Sequence, residues 1–193
     1  GSLGPRGEAG GGEAIRVAVH TGSYGENVVS QLNDDTYFDF EAVAVIGSQI
    51  DPAGELSAYD VVVLGDYSRE LELESFAPAL GAWVEGGGGV VGTGWLIYSA
   101  GSSTGTPVAD IDAIIPVNTS VSFSYNYGPT LTILDATHPV TQGLASFAVS
   151  GNNVEYSSGG PDAGATVLAT ASGQAAVVVG TPGTQGRGVY LGP

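Results

Sequence analysis

In the first half of the chain, short apolar runs alternate with segments of helical periodicity, and this alternation constrains the fold most strongly. The predicted strands are Ala14–Thr21, Phe40–Ile46, Tyr59–Gly65 and Val90–Thr93. The third is an unbroken apolar run from Val61 to Leu64, which is typical of a strand buried on both faces of a parallel sheet. The alternation therefore predicts an α/β fold, with helices on both faces of a parallel sheet.

Two segments between these strands have the spacing of amphipathic helices. Glu26–Asn33 places its valines and a leucine on one helical face, and Glu70–Glu85 repeats large apolar side chains at helical intervals. Because Pro78 is unfavourable inside a helix, we expect Ser75 to cap a helix that begins there. Gly86–Gly89 is predicted to end this helix before the fourth strand.

The second half of the chain consists mainly of short strand-like segments separated by Gly, Pro and Asn. The segments predicted as strands are Ser120–Tyr127, Thr130–Leu134, Phe147–Ser150, Val154–Tyr156, Ala165–Thr170, Gln174–Gly180 and Gly188–Leu191. Turn residues between short strands favour antiparallel pairing, so we predict an antiparallel β-rich C-terminal half. At 193 residues the chain suits one substantial core, and residues 14–193 are predicted to form a single domain.

The N-terminal residues 1–13 form a separate segment in this prediction. They begin GSLGPRGEAGGG, with glycine at every third position. Only glycine fits the axis of a collagen triple helix, so the period indicates a collagen-like stalk. A flexible glycine-rich linker is the alternative interpretation.

The composition excludes several classes of partner and chemistry. Asp and Glu total 20 against 4 basic residues, for a net charge of -16, which disfavours nucleic acid and anionic lipid as partners. The chain has 0 Cys, so it has no thiol nucleophile, thiolate metal site or disulfide. No apolar run approaches the roughly 20 residues of a membrane span, so no membrane insertion is expected. The chain also lacks Lys and Met, and this composition predicts an extracellular or cell-surface location.

Several phrases in order along the chain carry a family resemblance. They are YDVVVLGD (59–66), LGAWVEGGGGVVGTGW (80–95), DATHPVTQGL (135–144) and GATVLATASGQAAVVVGTPGTQGRGVYLG (164–192). Together they resemble the class I glutamine amidotransferase-like superfamily, and within it the trehalose-utilisation-type branch. The resemblance implies a flavodoxin-like, amidotransferase-like sheet. Members of that group usually continue into a terminal helix, so we expect that helix to be missing beyond Pro193.

The resemblance also indicates where a nucleophile would stand. Glutamine amidotransferases place a cysteine in the strained turn after the fourth strand, and this chain has Gly94 and Trp95 there. We therefore predict no catalytic residue; Ser99 does not lie in a G-x-S-x-G turn. Residues 87–92 formally match G-x-G-x-x-G, but they precede a strand instead of following one, so no dinucleotide cofactor is expected.

Residues for a ligand pocket are sought at the carboxyl ends of the parallel strands, where α/β folds bind ligands. There we predict a pocket rim of His20, Tyr24, Asp66 and Trp95. His138 lies in a Thr-His-Pro turn and is expected to have a structural role. No metal-ligating spacing is recognisable among the acidic residues, and calcium, acting as a stabiliser, is the one candidate cofactor.

Three hypotheses about function follow. The first is a non-catalytic extracellular module for assembly or binding, which self-associates as an oligomer or fibre and could form the globular part of a stalked protein. The second is a carbohydrate-binding or carbohydrate-processing protein of trehalose-utilisation type, with the rim residues and loop aromatics at its site. The third is a calcium-dependent adhesion module.

Overall fold

The computed structural model of the chain describes residues 14–20, 25–36, 39–51, 53–65, 73–101 and 107–193. The collagen-like or linker segment 1–13 lies outside these residues, and so do Tyr24 and Asp66 of the predicted rim. The extent of the domain over residues 14–193 stays a prediction.

The described strands and helices follow the predicted order closely. The strands are β1 (Ile15–His20), β2 (Phe40–Val45), β3 (Val61–Leu64), β4 (Gly89–Gly92), β5 (Phe123–Tyr127), β6 (Thr130–Ile133), β7 (Phe147–Ala148), β8 (Asn153–Ser157), β9 (Thr166–Ala171), β10 (Gln174–Gly180) and β11 (Arg187–Leu191). The helices are α1 (Gly25–Leu32), α2 (Ala53–Leu56), α3 (Leu73–Glu85), α4 (Leu96–Ala100) and α5 (Ala109–Asp112), with a 3₁₀ turn at Gly47–Gln49. None of the helices in the described ranges has the length and apolar character needed to cross a bilayer.

Most strands join one large mixed sheet. Its order is β2-β1-β3-β4-β11-β10-β9-β6-β7, and a separate two-stranded ribbon pairs β5 with β8. The first five strands in this order, β2, β1, β3, β4 and β11, are parallel to one another. The remaining strands, β10, β9, β6 and β7, each pair antiparallel with the strand before them in the order. The register aligns His20, Leu64, Gly92 and Tyr190 in one row near the carboxyl ends of the parallel strands. The predicted α/β class is therefore confirmed.

Helices cover both faces of the parallel half. On one face the main core contains the buried side of α3, with Phe76, Leu80 and Val84 fully buried. On the other face α1 packs its apolar residues against a smaller cluster that includes Val19 and Val63. The valine runs of the strands have partners on both sides, as the unbroken apolar pattern predicted.

Helix α3 differs from its predicted start. The described helix already includes Leu73, so the prediction that Ser75 caps it is wrong, and Pro78 lies inside the helix. A proline there removes a backbone hydrogen bond. Its immediate neighbour Ala77 and the nearby Phe76 are fully buried, so core packing offsets that loss.

The glycine run before β4 serves backbone geometry. Gly87 has a φ of 120°, a conformation that side chains other than glycine rarely adopt. A Cβ at Gly88 would lie 2.5 Å from the Trp83 ring, so the indole packs directly on the main chain. The run ends α3 and admits the Trp83 ring.

The outer edge of the sheet at β2 is capped by a side chain. The Asn33 amide donates from Nδ2 to the Ala42 carbonyl at 2.9 Å, and its Oδ1 accepts the Ala42 N–H at 2.7 Å. These are backbone groups of an edge strand, where an open N–H and C=O would invite pairing with another chain. Val43 is 46% exposed and Ile46 is 64% exposed beside them, so the cap protects an apolar edge.

Replacing this cap should weaken the fold and open the edge. We expect Asn33→Ala to lower the free energy of unfolding by about 1–2 kcal/mol, because two hydrogen bonds to the buried Ala42 are lost. Urea unfolding measures this change, and light scattering should show faster aggregation of the variant. The exposed Asn152 offers a matched control, since Asn152→Ala should change stability by less than about 0.5 kcal/mol. Equal effects of the two substitutions would contradict the capping role.

Candidate functional site

The turn between β4 and α4 is strained at Trp95. This residue has φ 69° and ψ 2°, the left-handed conformation, which costs a bulky side chain about 1–2 kcal/mol. Gly92 makes the turn feasible, because a Cβ there would lie 2.5 Å from a methyl carbon of Leu96. Trp95 therefore occupies the turn at which the family resemblance placed a nucleophile.

A buried carboxylate holds the start of α4. Glu155 of β8 is 1% exposed, and its Oε1 accepts the Tyr98 N–H at 2.9 Å. Its Oε2 accepts the Ile97 N–H at 3.2 Å and the Tyr190 hydroxyl at 2.9 Å. The side chain thus satisfies backbone donors that the first turn of a helix leaves without partners inside the helix.

The ionisation of this group is strongly perturbed. Burial raises the pKa of Glu155 to about 7, against the opposing effect of the hydrogen bonds from Tyr98, Tyr190 and Ile97. Burial, together with the neighbouring Glu155 carboxylate, also raises the pKa of Tyr190 well above its ordinary value. The carboxyl group therefore changes charge near neutral pH, while Tyr190 stays a hydroxyl donor.

The family resemblance implies a nucleophile at the position that the Trp95 indole occupies. An oxyanion hole would also require free N–H donors aimed at the reacting carbonyl. The N–H groups of Ile97 and Tyr98 are already bonded to Glu155. These hydrogen bonds instead hold α4 and its side chains in a fixed orientation.

Four aromatic side chains form a contiguous group beside the turn, here named the aromatic cluster: Trp95, Tyr98, Phe123 and Tyr125. The Trp95 ring centroid lies 5.8 Å from that of Phe123 and 5.7 Å from that of Tyr125. Tyr98 and Phe123 meet edge to face at 5.0 Å. Tyr125 is 51% exposed, and Tyr127, further along the same face of β5, is 72% exposed. The cluster is a partly exposed aromatic surface.

His20 lies in a different environment. It ends β1, is 5% exposed, and its ring centroid lies 4.6 Å from that of Phe76. Burial lowers the pKa of His20 to about 4, so the imidazole is neutral at pH 7. Within the described part of the chain its Nδ1 has no hydrogen-bond partner.

The structure places two of the four predicted rim residues. His20 packs on Phe76 in the core, whereas Trp95 packs in the aromatic cluster. Phe123 and Glu155 were missed by the sequence analysis. A single glutamate in a short strand-like segment carries no signal of burial, and only its position beneath the start of α4 reveals its role.

Among the described residues, no group of three or more His, Asp or Glu side chains could hold a metal ion. Binding of calcium stays a prediction. His138 lies in a groove of about 720 Å³, with Asp162 and Arg187, beside the start of β11. Its Nδ1 accepts the Val140 N–H of its own turn at 3.2 Å.

Comparison with known proteins identifies the fold. No protein-family profile matches the sequence, and no curated protein matches it. A ThuA-like protein from Bacteroides uniformis is 18% identical with a TM-score of 0.69, covering 98% of this chain and 85% of its own. A Salmonella typhimurium LT2 protein matches with 15% identity, a TM-score of 0.64, and coverage of 92% and 87%. Another from Salmonella typhimurium has 13% identity, a TM-score of 0.64, and coverage of 92% and 86%.

These similarities correct one prediction. Both Salmonella proteins are described as cytoplasmic proteins, so the prediction of an extracellular or cell-surface location is wrong. Its basis was a composition without Lys, Cys or Met, and composition reports solvation more directly than compartment. At these identities the likeness is one of fold, and the solved structures that share it include a ThuA-like protein.

The strained turn predicts an unusual order of stability at position 95. We expect Trp95→Gly to be more stable than Trp95→Ala by about 1 kcal/mol, because only glycine adopts this φ without cost. Thermal or urea unfolding of both variants measures the difference. At Tyr98, inside α4, the order should reverse, with the alanine variant more stable by about 0.5–1 kcal/mol. The same order at both positions would contradict the strain.

Proposed function

We propose that the chain is a non-catalytic module of the amidotransferase-like fold, trehalose-utilisation type, which serves binding or assembly. The order β2-β1-β3-β4-β11 of the parallel strands supports the flavodoxin-like arrangement implied by the sequence resemblance. The ThuA-like structure from Bacteroides uniformis, aligned over 98% of this chain, supports the same branch.

One observation carries the non-catalytic part of the proposal. Trp95 adopts the strained conformation of a nucleophile turn, with φ 69°, yet its side chain has no nucleophilic atom. Beside it, Glu155 occupies the donors that would stabilise an oxyanion. The turn therefore keeps the geometry of a catalytic site without its chemistry.

The aromatic cluster supports the binding part of the proposal. Its rings are partly exposed, and aromatic side chains are enriched at interfaces because they bury a large area with little loss of entropy. A net charge of -16 opposes self-association through charged surfaces. A homo-oligomer of this chain would accordingly be held by apolar contacts, and the cluster supplies them.

Sedimentation equilibrium tests the assembly part. We expect the chain to associate in a concentration-dependent way and Tyr125→Ser to shift it to monomer, because the exposed ring is lost. Tyr156 provides the control, because it follows Glu155, the cross-strand partner of Tyr125, and so points to the opposite face of the β5–β8 ribbon. Tyr156→Ser should leave the mass unchanged. A monomer at every concentration would contradict assembly through this surface. Turnover of glutamine or of a p-nitrophenyl glycoside by the same sample would contradict the non-catalytic assignment.

Carbohydrate binding is the second candidate, and the arrangement of the rings favours it. Their centroids lie 5.0–6.3 Å apart, so they touch one another and form a continuous surface with no gap for a cation between rings. The faces of aromatic rings carry partial negative charge and attract the polarised C–H groups of a pyranose ring. A neutral sugar would also escape the repulsion that the acidic chain exerts on anions.

Fluorescence titration with trehalose and lactose tests this candidate. In a Trp83→Phe background, Trp95 is the remaining tryptophan and reports contact with the cluster. We expect a saturable change, and Tyr125→Ala should weaken binding about threefold to tenfold, as expected for the loss of one aromatic contact. Tyr156→Ala should bind as the parent does. An equal loss in both variants, or no change with either sugar, would contradict this candidate.

A further inference from the structure

We propose that Glu155 is a positioning residue whose ionisation controls the geometry of the aromatic cluster. When the side chain is ionised it ties α4 to the β5–β8 ribbon, and when it is protonated this tie is loosened. The inference rests on the proposed function, because it assigns a regulation to the surface proposed for binding.

Glu155 connects the two halves of the cluster. One half, Trp95 and Tyr98, lies at and just after the start of α4, and Glu155 accepts the Tyr98 N–H at 2.9 Å. The other half lies on β5, where Tyr125 is the direct cross-strand partner of Glu155. Movement of this one side chain therefore changes the position of α4 relative to β5.

The hydrogen bonds show why a proton would loosen the tie. Oε1 accepts the Tyr98 N–H, and Oε2 accepts both the Ile97 N–H and the Tyr190 hydroxyl. Each carboxylate oxygen thus already faces a donor. A proton on Oε1 would meet the Tyr98 N–H, and a proton on Oε2 would reverse the bond with the Tyr190 hydroxyl, which can also accept. In either case the neutral acid is a weaker acceptor than the carboxylate, so protonation weakens the bonds from the Ile97 and Tyr98 amides.

The surroundings contain no compensating positive charge in the described part of the chain. The titratable groups on α4, β5 and β11 near Glu155 are tyrosines: Tyr98 on α4, Tyr125 and the more distant Tyr127 on β5, and Tyr190 on β11. Strand β10 contributes none, and Arg187 lies at the far end of β11. No salt bridge involves Glu155 among the described residues. The change of charge at this position is therefore the ionisation of the Glu155 carboxyl group itself.

The perturbed ionisation places the change near neutral pH. Burial raises the pKa of Glu155 to about 7, so the carboxylate dominates above pH 7 and the neutral acid below it. Because the folded-state pKa exceeds the ordinary value, the stability contributed by this group is present at low pH and is lost as pH rises through 7. The two effects have opposite signs. As the pH falls, the contribution of Glu155 to the stability of the fold grows while the start of α4 loses hydrogen bonds. The buried His20, whose pKa is lowered, contributes to stability in the opposite direction.

Amide hydrogen exchange separates these effects. We expect the protection factors of the Ile97 and Tyr98 amides to fall about tenfold between pH 8 and pH 5, while the free energy of unfolding from urea titration rises relative to that of Glu155→Gln, which shares the opposing titration of His20. In Glu155→Gln the protection factors should be low and independent of pH, since the side chain is neutral throughout. A wild-type protection factor that stays constant, or one that changes equally in Glu155→Gln, would overturn the proposal.

Tyr190→Phe provides a second variant should Glu155→Gln not fold. It removes one donor to the ionised carboxylate and should therefore move the exchange transition to higher pH. An unshifted midpoint would overturn the proposal. His138→Gln is the control, because that imidazole lines the groove beside the start of β11, which includes neither Glu155 nor any residue of α4, and its transition should match the wild type.

These measurements need no ligand, so their outcome is independent of the proposed binding function. Fluorescence of Trp95 in the Trp83→Phe background gives a second ligand-free readout, with a shift expected around pH 7. If the exchange transition occurs but neither sugar binding nor self-association is found, the proposed function fails and the coupling stands. Binding without the transition would overturn the coupling alone.

Discussion

The hydrogen bonds of one buried carboxylate organise the region beyond β4. Helix α4 spans only Leu96–Ala100, and an isolated helix of this length has no stability of its own in water. Glu155 accepts hydrogen bonds from the Ile97 and Tyr98 amides of this helix, and the Tyr190 hydroxyl donates a further bond to the same carboxylate. The left-handed turn at Trp95 and the aromatic cluster depend on this anchor, which joins β8, β11 and α4.

The same anchor explains how the strained turn at Trp95 persists. A bulky residue in the left-handed conformation survives only where its surroundings determine it. Here the Trp95 ring packs against Phe123 and Tyr125, and the helix that follows is held by Glu155. The turn therefore presents the Trp95 indole at a partly exposed aromatic surface, and burial raises the pKa of the carboxyl group beneath it to about 7.

The regular elements were largely predictable, and the exceptions have particular physical causes. Strands such as Val61–Leu64 and Gln174–Gly180 have apolar patterns that only burial in a sheet satisfies. Pro78 was expected near the start of a helix, but the buried Phe76 and its neighbours hold it inside α3. Composition misled the prediction of location, because a lack of Lys, Cys and Met is compatible with more than one compartment.

The sequence by itself determined the α/β class, the order of the elements and the absence of a thiol nucleophile. These follow from local periodicity and from residue identity. The tertiary structure alone decided that Glu155 lies beneath α4, that Phe123 and Tyr125 meet Trp95, and that Asn33 caps the edge at Ala42. Each of these contacts joins residues that are distant in sequence or differ in secondary structure. Their partners are set by the packing of whole elements, which no local pattern specifies.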